Sequence, residues 1–118
     1  MINDNYGHAA GDAVLQAFSN AIRPLLREYD IFARIGGEEF ALLLPATKNH
    51  EAYIISERIR ELTGRLIVPF ENNSLKVTTS IGLTDSYEGI NKFEQMMRLA
   101  DKNLYQAKLN GRNQTIYT

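Results

Sequence analysis

Apolar residues recur every three or four positions in three stretches of the chain, which predicts three helices with one buried face each. The first covers residues 10–27, the second covers residues 48–62, and the third follows a capping Asn91. Pro24 lies late in the first stretch. Because proline removes a backbone hydrogen bond and clashes with the preceding turn, we expect this helix to kink or end there.

Short runs rich in β-branched and aromatic residues predict five strands. These runs are residues 30–35, 38–45, 66–70, 75–81 and 114–117. The Gly36-Gly37 pair between the first two runs predicts a tight hairpin, because both central residues can adopt positive φ. The second run is almost wholly apolar, which predicts a strand covered on both faces.

The element order is therefore α, β, β, α, β, β, α, β. Mixed hairpins and crossovers of this kind predict an α+β fold with a central, mainly antiparallel β-sheet flanked by helices. Two further boundaries are expected: the second helix ends at Thr63-Gly64, and Gly82 marks a bulge.

Composition narrows the class of protein. The 118 residues suit one domain, residues 1–118. With 13 basic and 14 acidic residues the net charge is −1, so we expect no nucleic-acid partner. No apolar run has the length of a membrane span, so no membrane segment is expected in this chain. Cysteine is absent, which excludes disulfides, thiolate metal sites and cysteine nucleophiles.

Two adjacent carboxylates follow the glycine pair of the predicted hairpin. Gly36 and Gly37 carry no side chain, so a ligand can approach the backbone closely. Glu38 and Glu39 are expected on opposite sides of the strand, where one could hold a metal ion. The alternative is an ordinary solvated hairpin with charged flanks.

A polar, glycine-punctuated segment, residues 3–12, leads into the first helix. Asn3 and Asp12 could recognise a guanine edge, since an amide and a carboxylate match its donors and acceptors. The alternative is helix capping, with Asp12 in the first turn complementing the helix dipole. His8 by itself would be a turn residue.

Lys108 and Arg112 lie four residues apart across the end of the third helix. On one face, two cations could bind a triphosphate. The alternative is that both complement the negative end of the helix dipole.

Together these segments resemble the GGDEF domain of diguanylate cyclases, and the resemblance spans the whole chain. The matching motifs are Asn-Asp-x-Tyr-Gly-His-x-x-Gly-Asp at 3–12, Arg-x-Gly-Gly-Glu-Glu-Phe at 34–40, Ser-Ile-Gly at 80–82, and Ala-Asp, Tyr-x-Ala-Lys and Gly-Arg-Asn between 100 and 113. The resemblance implies a sandwich of the nucleotidyl-cyclase type. It also implies condensation of two GTP molecules into cyclic di-GMP with release of pyrophosphate, on two GGDEF domains that face each other.

The same resemblance implies a role for each candidate residue. Glu38 would hold Mg²⁺ or Mn²⁺, and Glu38 or Glu39 would help to deprotonate the attacking 3′-hydroxyl. The remaining residues would bind GTP: Asn3 and Asp12 at guanine, His8 near the nucleotide, Gly36 and Gly37 along it, and Lys108 and Arg112 at the phosphates.

Arg27 and Asp30 form an Arg-x-x-Asp pattern ahead of the glycine pair. By itself this pattern is equally typical of a helix end followed by a strand start. In the family it marks an inhibitory site that binds the product, cyclic di-GMP, and Arg58 matches a supporting arginine of some members. The resemblance therefore implies product feedback.

The family pattern also includes a strand with an Asp-x-Asp-x-Phe-Lys stretch just before the position of Asn3, and this sequence begins after it. That stretch supplies a second metal-binding carboxylate. We therefore expect an N-terminally incomplete GGDEF domain that is inactive alone and active in its parent protein.

Two other functions stay open at this point. One is a catalytically incompetent domain that binds GTP or cyclic di-GMP as a regulatory module, and the other is a domain that only dimerises or regulates a fused partner. A cytoplasmic location is expected because GTP and Mg²⁺ are found there. Any membrane anchor of the parent would lie outside this chain.

Overall fold

A computed structural model of the chain describes residues 7–86 and 92–117. In chain order its elements are α1 (His8–Ile22), a 3-10 helix (Arg23–Leu25), β1 (Ile31–Gly36), β2 (Glu39–Leu43), α2 (Asn49–Arg65), β3 (Val68–Phe70), β4 (Asn73–Leu75), β5 (Ile81–Leu83), α3 (Phe93–Leu109) and β6 (Thr115–Tyr117). The α+β class is confirmed. The chain forms two compact units, whose described residues are 7–46 with 62–77, and 47–61 with 78–86 and 92–117.

In the first unit, α1 packs one face against the β3–β4 hairpin. Ala10 and Val14, four residues apart on that face, form a buried cluster with Val68 and Leu75. The helix ends at Ile22, and the 3-10 helix that follows contains Pro24. The expected break at the proline is thus confirmed.

A second contact of α1 is aromatic. The Phe18 ring lies 5.1 Å from that of Phe40 on β2, and Phe40 stacks on Phe32 of β1 at 5.1 Å and 8°. These tilted and stacked rings anchor the β1–β2 hairpin to the helix.

In the second unit, α3 connects the parallel strands β5 and β6 and packs against both. Parallel strands need a crossover of this length, and here the helix provides it. The buried Asn103 of α3 donates from Nδ2 to the Leu83 carbonyl at 2.8 Å, which fixes the helix to β5.

At Gly82 the backbone of β5 lies close to the backbone of α3. A Cβ added at Gly82 would collide with the Ala100 carbonyl oxygen and the Leu104 amide nitrogen, both backbone atoms. The strand pairs with β6 in regular register, so the expected bulge is wrong. The glycine is required for close helix–strand packing instead.

The strands pair differently from the single sheet expected. Among the described residues they form three two-stranded sheets, of which β1–β2 and β3–β4 are antiparallel and β5–β6 is parallel. The predicted strand over 75–81 is wrong between its ends: β4 stops at Leu75 and β5 starts at Ile81. The intervening residues cross from the first unit to the second, so they lack a continuous partner strand.

Two other expectations are corrected. The β2 strand is at most half-buried, and Leu43 is 37% exposed, because within the described residues it pairs only with β1. The α2 helix continues through Thr63 and Gly64 to Arg65. Thr63 is almost fully buried, and its packing outweighs the weak helix propensity of the glycine beside it.

Candidate functional site

The β1–β2 hairpin builds the glycine-rich part of the site. Gly36 pairs with Glu39, so the central turn residues are Gly37 and Glu38 rather than the two glycines expected. Gly37 has φ 49° and Gly36 has φ 155°, conformations that favour glycine. A Cβ at either position would meet none of the described atoms within 4 Å, so backbone conformation explains these glycines better than packing does.

Arg34 fixes the conformation of this turn. Its Nε donates to the Gly37 carbonyl at 2.8 Å, across the position where the strand register shifts. The motif at 34–40 includes Arg34 but by itself predicts no role for it. Its position three residues before Gly37 was the available signal.

Glu38 and Glu39 are both exposed, one in the turn and one at the start of β2. Within the described residues Glu38 makes no side-chain hydrogen bond or ion pair, so its carboxylate is available to a ligand. No three acidic or histidine side chains converge in the part of the chain that the structure describes. Mg²⁺ commonly takes one or two carboxylates together with waters and substrate phosphates, and Glu38 fits as one such ligand.

Asp12 does not cap α1. The helix starts at His8 with Gly7 as N-cap, so Asp12 falls beyond the first turn and has no capping role. The first-turn interpretation of Asp12 is therefore wrong. Both His8 and Asp12 are exposed at this end of the helix, whereas Asn3 lies outside the described residues.

Asp12 lines an open cavity of about 340 Å³ in the first unit. The cavity is lined by Asp12, Leu15, Gln16, Ser19, Arg23, Phe32, Arg34 and Phe40. Asp12 therefore shares a cavity with Arg34, whose guanidinium holds the glycine turn. This connects the guanine-binding candidate to the hairpin.

Lys108 and Arg112 belong to the second unit, and they do not share a helical face. The α3 helix ends at Leu109, and Gly111 and Arg112 adopt φ 113° and φ 64°. Lys108 lies in the last helical turn, where a cation complements the dipole. Arg112 lies in the loop beyond it, so helical spacing does not relate the two.

Arg27 and Asp30 form a closed turn. The Asp30 amide donates to the Arg27 carbonyl at 3.0 Å, and Asp30 Oδ2 accepts from the Arg27 amide at 2.8 Å. Oδ2 also lies 3.5 Å from Arg27 Nε. The Asp30 side chain is 2% exposed, and its buried Oδ1 has no hydrogen-bond partner in the described part of the chain.

The arginine of this turn remains accessible. Its side chain is 41% exposed, and its guanidinium carbon lies 5.0 Å from the centre of the Tyr29 ring. Tyr29 was not predicted from the sequence, although an aromatic residue inside Arg-x-x-Asp was the signal. Arg58 is exposed on α2, in the second unit.

Comparison with known proteins identifies relatives. The sequence profile of the family described as "Diguanylate cyclase, GGDEF domain" matches residues 1–114. Diguanylate cyclase A of Treponema denticola is 39% identical over 112 residues, which are 95% of this chain and 30% of that protein. The chain thus spans less than a third of this relative.

Solved structures agree. The diguanylate cyclase SiaD of Pseudomonas aeruginosa, in complex with its activator SiaC, matches at a TM-score of 0.92 and 39% identity, over 99% of this chain and 45% of that one. An active GGEEF domain of a Vibrio cholerae diguanylate cyclase matches at a TM-score of 0.86 and 29% identity, over 98% of this chain and 73% of that one. The GGDEF domain of DgcB from Caulobacter crescentus, in complex with c-di-GMP, matches at a TM-score of 0.91 and 28% identity, over 98% of this chain and 69% of that one.

Proposed function

The chain belongs to the GGDEF diguanylate cyclase family, and we propose that it binds GTP and, in its parent protein, condenses two GTP molecules into cyclic di-GMP. The observation that carries the proposal is the β1–β2 turn, where Gly37 at φ 49° precedes two exposed carboxylates. A turn with open space at its glycines and acidic side chains beside them suits a nucleoside triphosphate with its metal ion.

The reaction needs positioning more than covalent chemistry from the protein. The 3′-hydroxyl of each GTP attacks the α-phosphorus of the other, so two P–O bonds form and two bonds to the β-phosphates break. Two pyrophosphates leave and two hydroxyl protons are lost. Glu38 or Glu39 accepts such a proton, and Lys108 and Arg112 neutralise phosphate charge. The partner is a second GGDEF domain.

The family uses a divalent metal ion, and we propose that Glu38 holds Mg²⁺ or Mn²⁺. When bound, such an ion neutralises phosphate charge and favours ionisation of the attacking hydroxyl. A carboxylate in a turn, with no side-chain hydrogen bond or ion pair to break in the described residues, can bind it without disturbing the fold. Among those residues no helix is both long and apolar enough to cross a membrane.

Guanine recognition gives the first test. Asp12 is expected to accept from N1–H and the exocyclic amine of guanine, a pair of donors that adenine does not present together. Asp12→Ala should weaken GTP binding about tenfold or more, as loss of a charged hydrogen bond does. Calorimetry with GTP and ATP measures this, and Glu28→Ala, at an exposed position outside the cavity lining, is the control. Equal affinity of the native chain for GTP and ATP would contradict guanine recognition.

A second candidate function is a cyclic di-GMP-binding module without synthesis, which the preformed Arg27–Asp30 turn favours. We propose that the exposed Arg27 guanidinium contacts guanine or phosphate of the product, with Asp30 orienting the turn. Direct contact by Asp30 would require its buried carboxylate to become uncovered.

Arg27→Ala should therefore weaken cyclic di-GMP binding to the 118-residue chain about tenfold or more. Arg27→Lys keeps the charge without the planar fork, so its affinity for cyclic di-GMP should lie between those of the native chain and Arg27→Ala. Calorimetric titration measures the affinities, and the exposed neighbour Glu28→Ala is the control. Unchanged affinity in Arg27→Ala would refute the product site.

A further inference from the structure

The loop that follows α3 is held in an unfavourable conformation by contacts from another helix. Arg112 and Asn113 have φ 64° and φ 48°, the left-handed region that residues with side chains seldom adopt. Two such residues in succession persist only where the surrounding structure fixes them. We call residues 110–114 the Arg112 loop.

Part of the restraint is local. The Arg112 amide donates to the Ala107 carbonyl at 2.8 Å, which closes the turn after the helix. Gln114 Nε2 donates to the carbonyls of Asn110 at 3.0 Å and Arg112 at 3.1 Å. The Asn113 amide donates to Ser80 Oγ at 3.0 Å, which ties the loop to the segment before β5.

The remaining restraint comes from α2. Arg60 donates from Nε and from its second terminal nitrogen to the two carboxylate oxygens of Glu57, both at 2.9 Å. Its other terminal nitrogen donates to Asn113 Oδ1 at 3.2 Å, and Thr115 Oγ1 donates to Glu57 Oε2 at 3.0 Å. Helix α2 thus contacts the chain on both sides of Gln114, at Asn113 in the loop and at Thr115, the first residue of β6.

The pair is chemically suited to this role. A bidentate arginine–carboxylate contact fixes both side chains, so the third guanidinium nitrogen points at Asn113 with little freedom. The hydrogen bond from Arg60 lowers the pKa of Glu57, and the Thr115 hydroxyl lowers it further against the opposing effect of burial. Glu57 is therefore ionised at neutral pH.

We infer that Glu57 and Arg60 are positioning residues for Arg112: they hold the Arg112 loop in the conformation that presents its guanidinium to nucleotide phosphate. The inference rests on the proposed function, because it takes Arg112 as a phosphate ligand. Neither Glu57 nor Arg60 needs to touch the nucleotide. They affect binding by fixing the backbone conformation of residues 112 and 113.

The first measurement concerns the free protein. Arg60→Met keeps the length of the side chain but removes its contacts with Glu57 and Asn113. Exchange of the Asn113 amide, followed by NMR without nucleotide, should become about tenfold faster or more. Thr115→Val, which removes only the hydroxyl contact with Glu57, should act in the same direction to a smaller extent. Arg98→Met, at an exposed position of α3, should leave the exchange rate unchanged.

The second measurement concerns GTP with Mg²⁺, titrated into the 118-residue chain by calorimetry. Arg60→Met should weaken binding about tenfold. In an Arg112→Ala background the same change should have no further effect, because the residue being positioned is gone.

The outcomes separate this inference from the proposed function. A native chain that binds no GTP contradicts the proposed function, whatever the exchange rates show. A native chain that binds GTP, with exchange or affinity unaltered by Arg60→Met and Thr115→Val, overturns the inference alone. Additive losses from Arg60→Met and Arg112→Ala also overturn it, because independent effects would then explain the data.

Discussion

Glu38→Ala is expected to abolish cyclic di-GMP synthesis while leaving the fold intact. The assay uses an extended protein in which an Asp-x-Asp-x-Phe-Lys segment of the family precedes Asn3. Loss of a metal-binding carboxylate beside a triphosphate should lower the rate by about a hundredfold to a thousandfold or more. The side chain is exposed and makes no hydrogen bond or ion pair within the described residues, so its removal should not unfold the hairpin.

Glu38→Asp is the matched variant, because it keeps the carboxylate on a shorter side chain and matches the aspartate in the family's name. It should retain most of the activity, while circular dichroism shows that all three proteins are folded. Chromatographic separation of nucleotides measures the product. Substantial synthesis by Glu38→Ala would overturn the metal assignment of this residue.

Gly82→Ala is expected to destabilise the fold strongly, although it adds only one methyl group. The added Cβ would collide with the backbone of α3 at Ala100 and Leu104, and backbone cannot move aside as a flexible side chain does. The helix must separate from β5, which also breaks the hydrogen bond from Asn103 to Leu83. We expect a loss of at least about 3 kcal/mol in the free energy of unfolding.

Gly64→Ala provides the control, because it is the same substitution in α2 and the added Cβ meets none of the described atoms within 4 Å. Alanine favours helix over glycine, so this variant should be neutral or more stable by up to about 1 kcal/mol. Urea unfolding followed by circular dichroism compares the two variants. Equal stability would contradict the close packing at Gly82.

The sequence predicted correctly those elements whose boundaries are set by individual residues and their near neighbours. Pro24 predicted the end of α1, and the glycine pair predicted the β1–β2 hairpin, both of which are confirmed. The strand over 75–81 was wrong because the residues have β propensity but change partners midway. Pairing is a long-range property that propensity does not contain.

In the candidate site too, the sequence indicates individual residues but not the long-range contacts between them. Motif spacing singled out Glu38, Asp12 and Arg112, whose roles stay predictions. It could not show that Arg34 holds the Gly37 carbonyl. The contact between Arg60 and Asn113 joins residues 53 positions apart, and only the fold reveals such a pair.

The most direct test of the central claim is the stoichiometry of the reaction of the extended protein with GTP and Mg²⁺. Ion-exchange chromatography of the nucleotides and a pyrophosphate assay should give one cyclic di-GMP and two pyrophosphates for every two GTP consumed. Unconsumed GTP, or conversion to GDP and phosphate without cyclic di-GMP, would contradict the assignment of this chain as the catalytic region of a diguanylate cyclase.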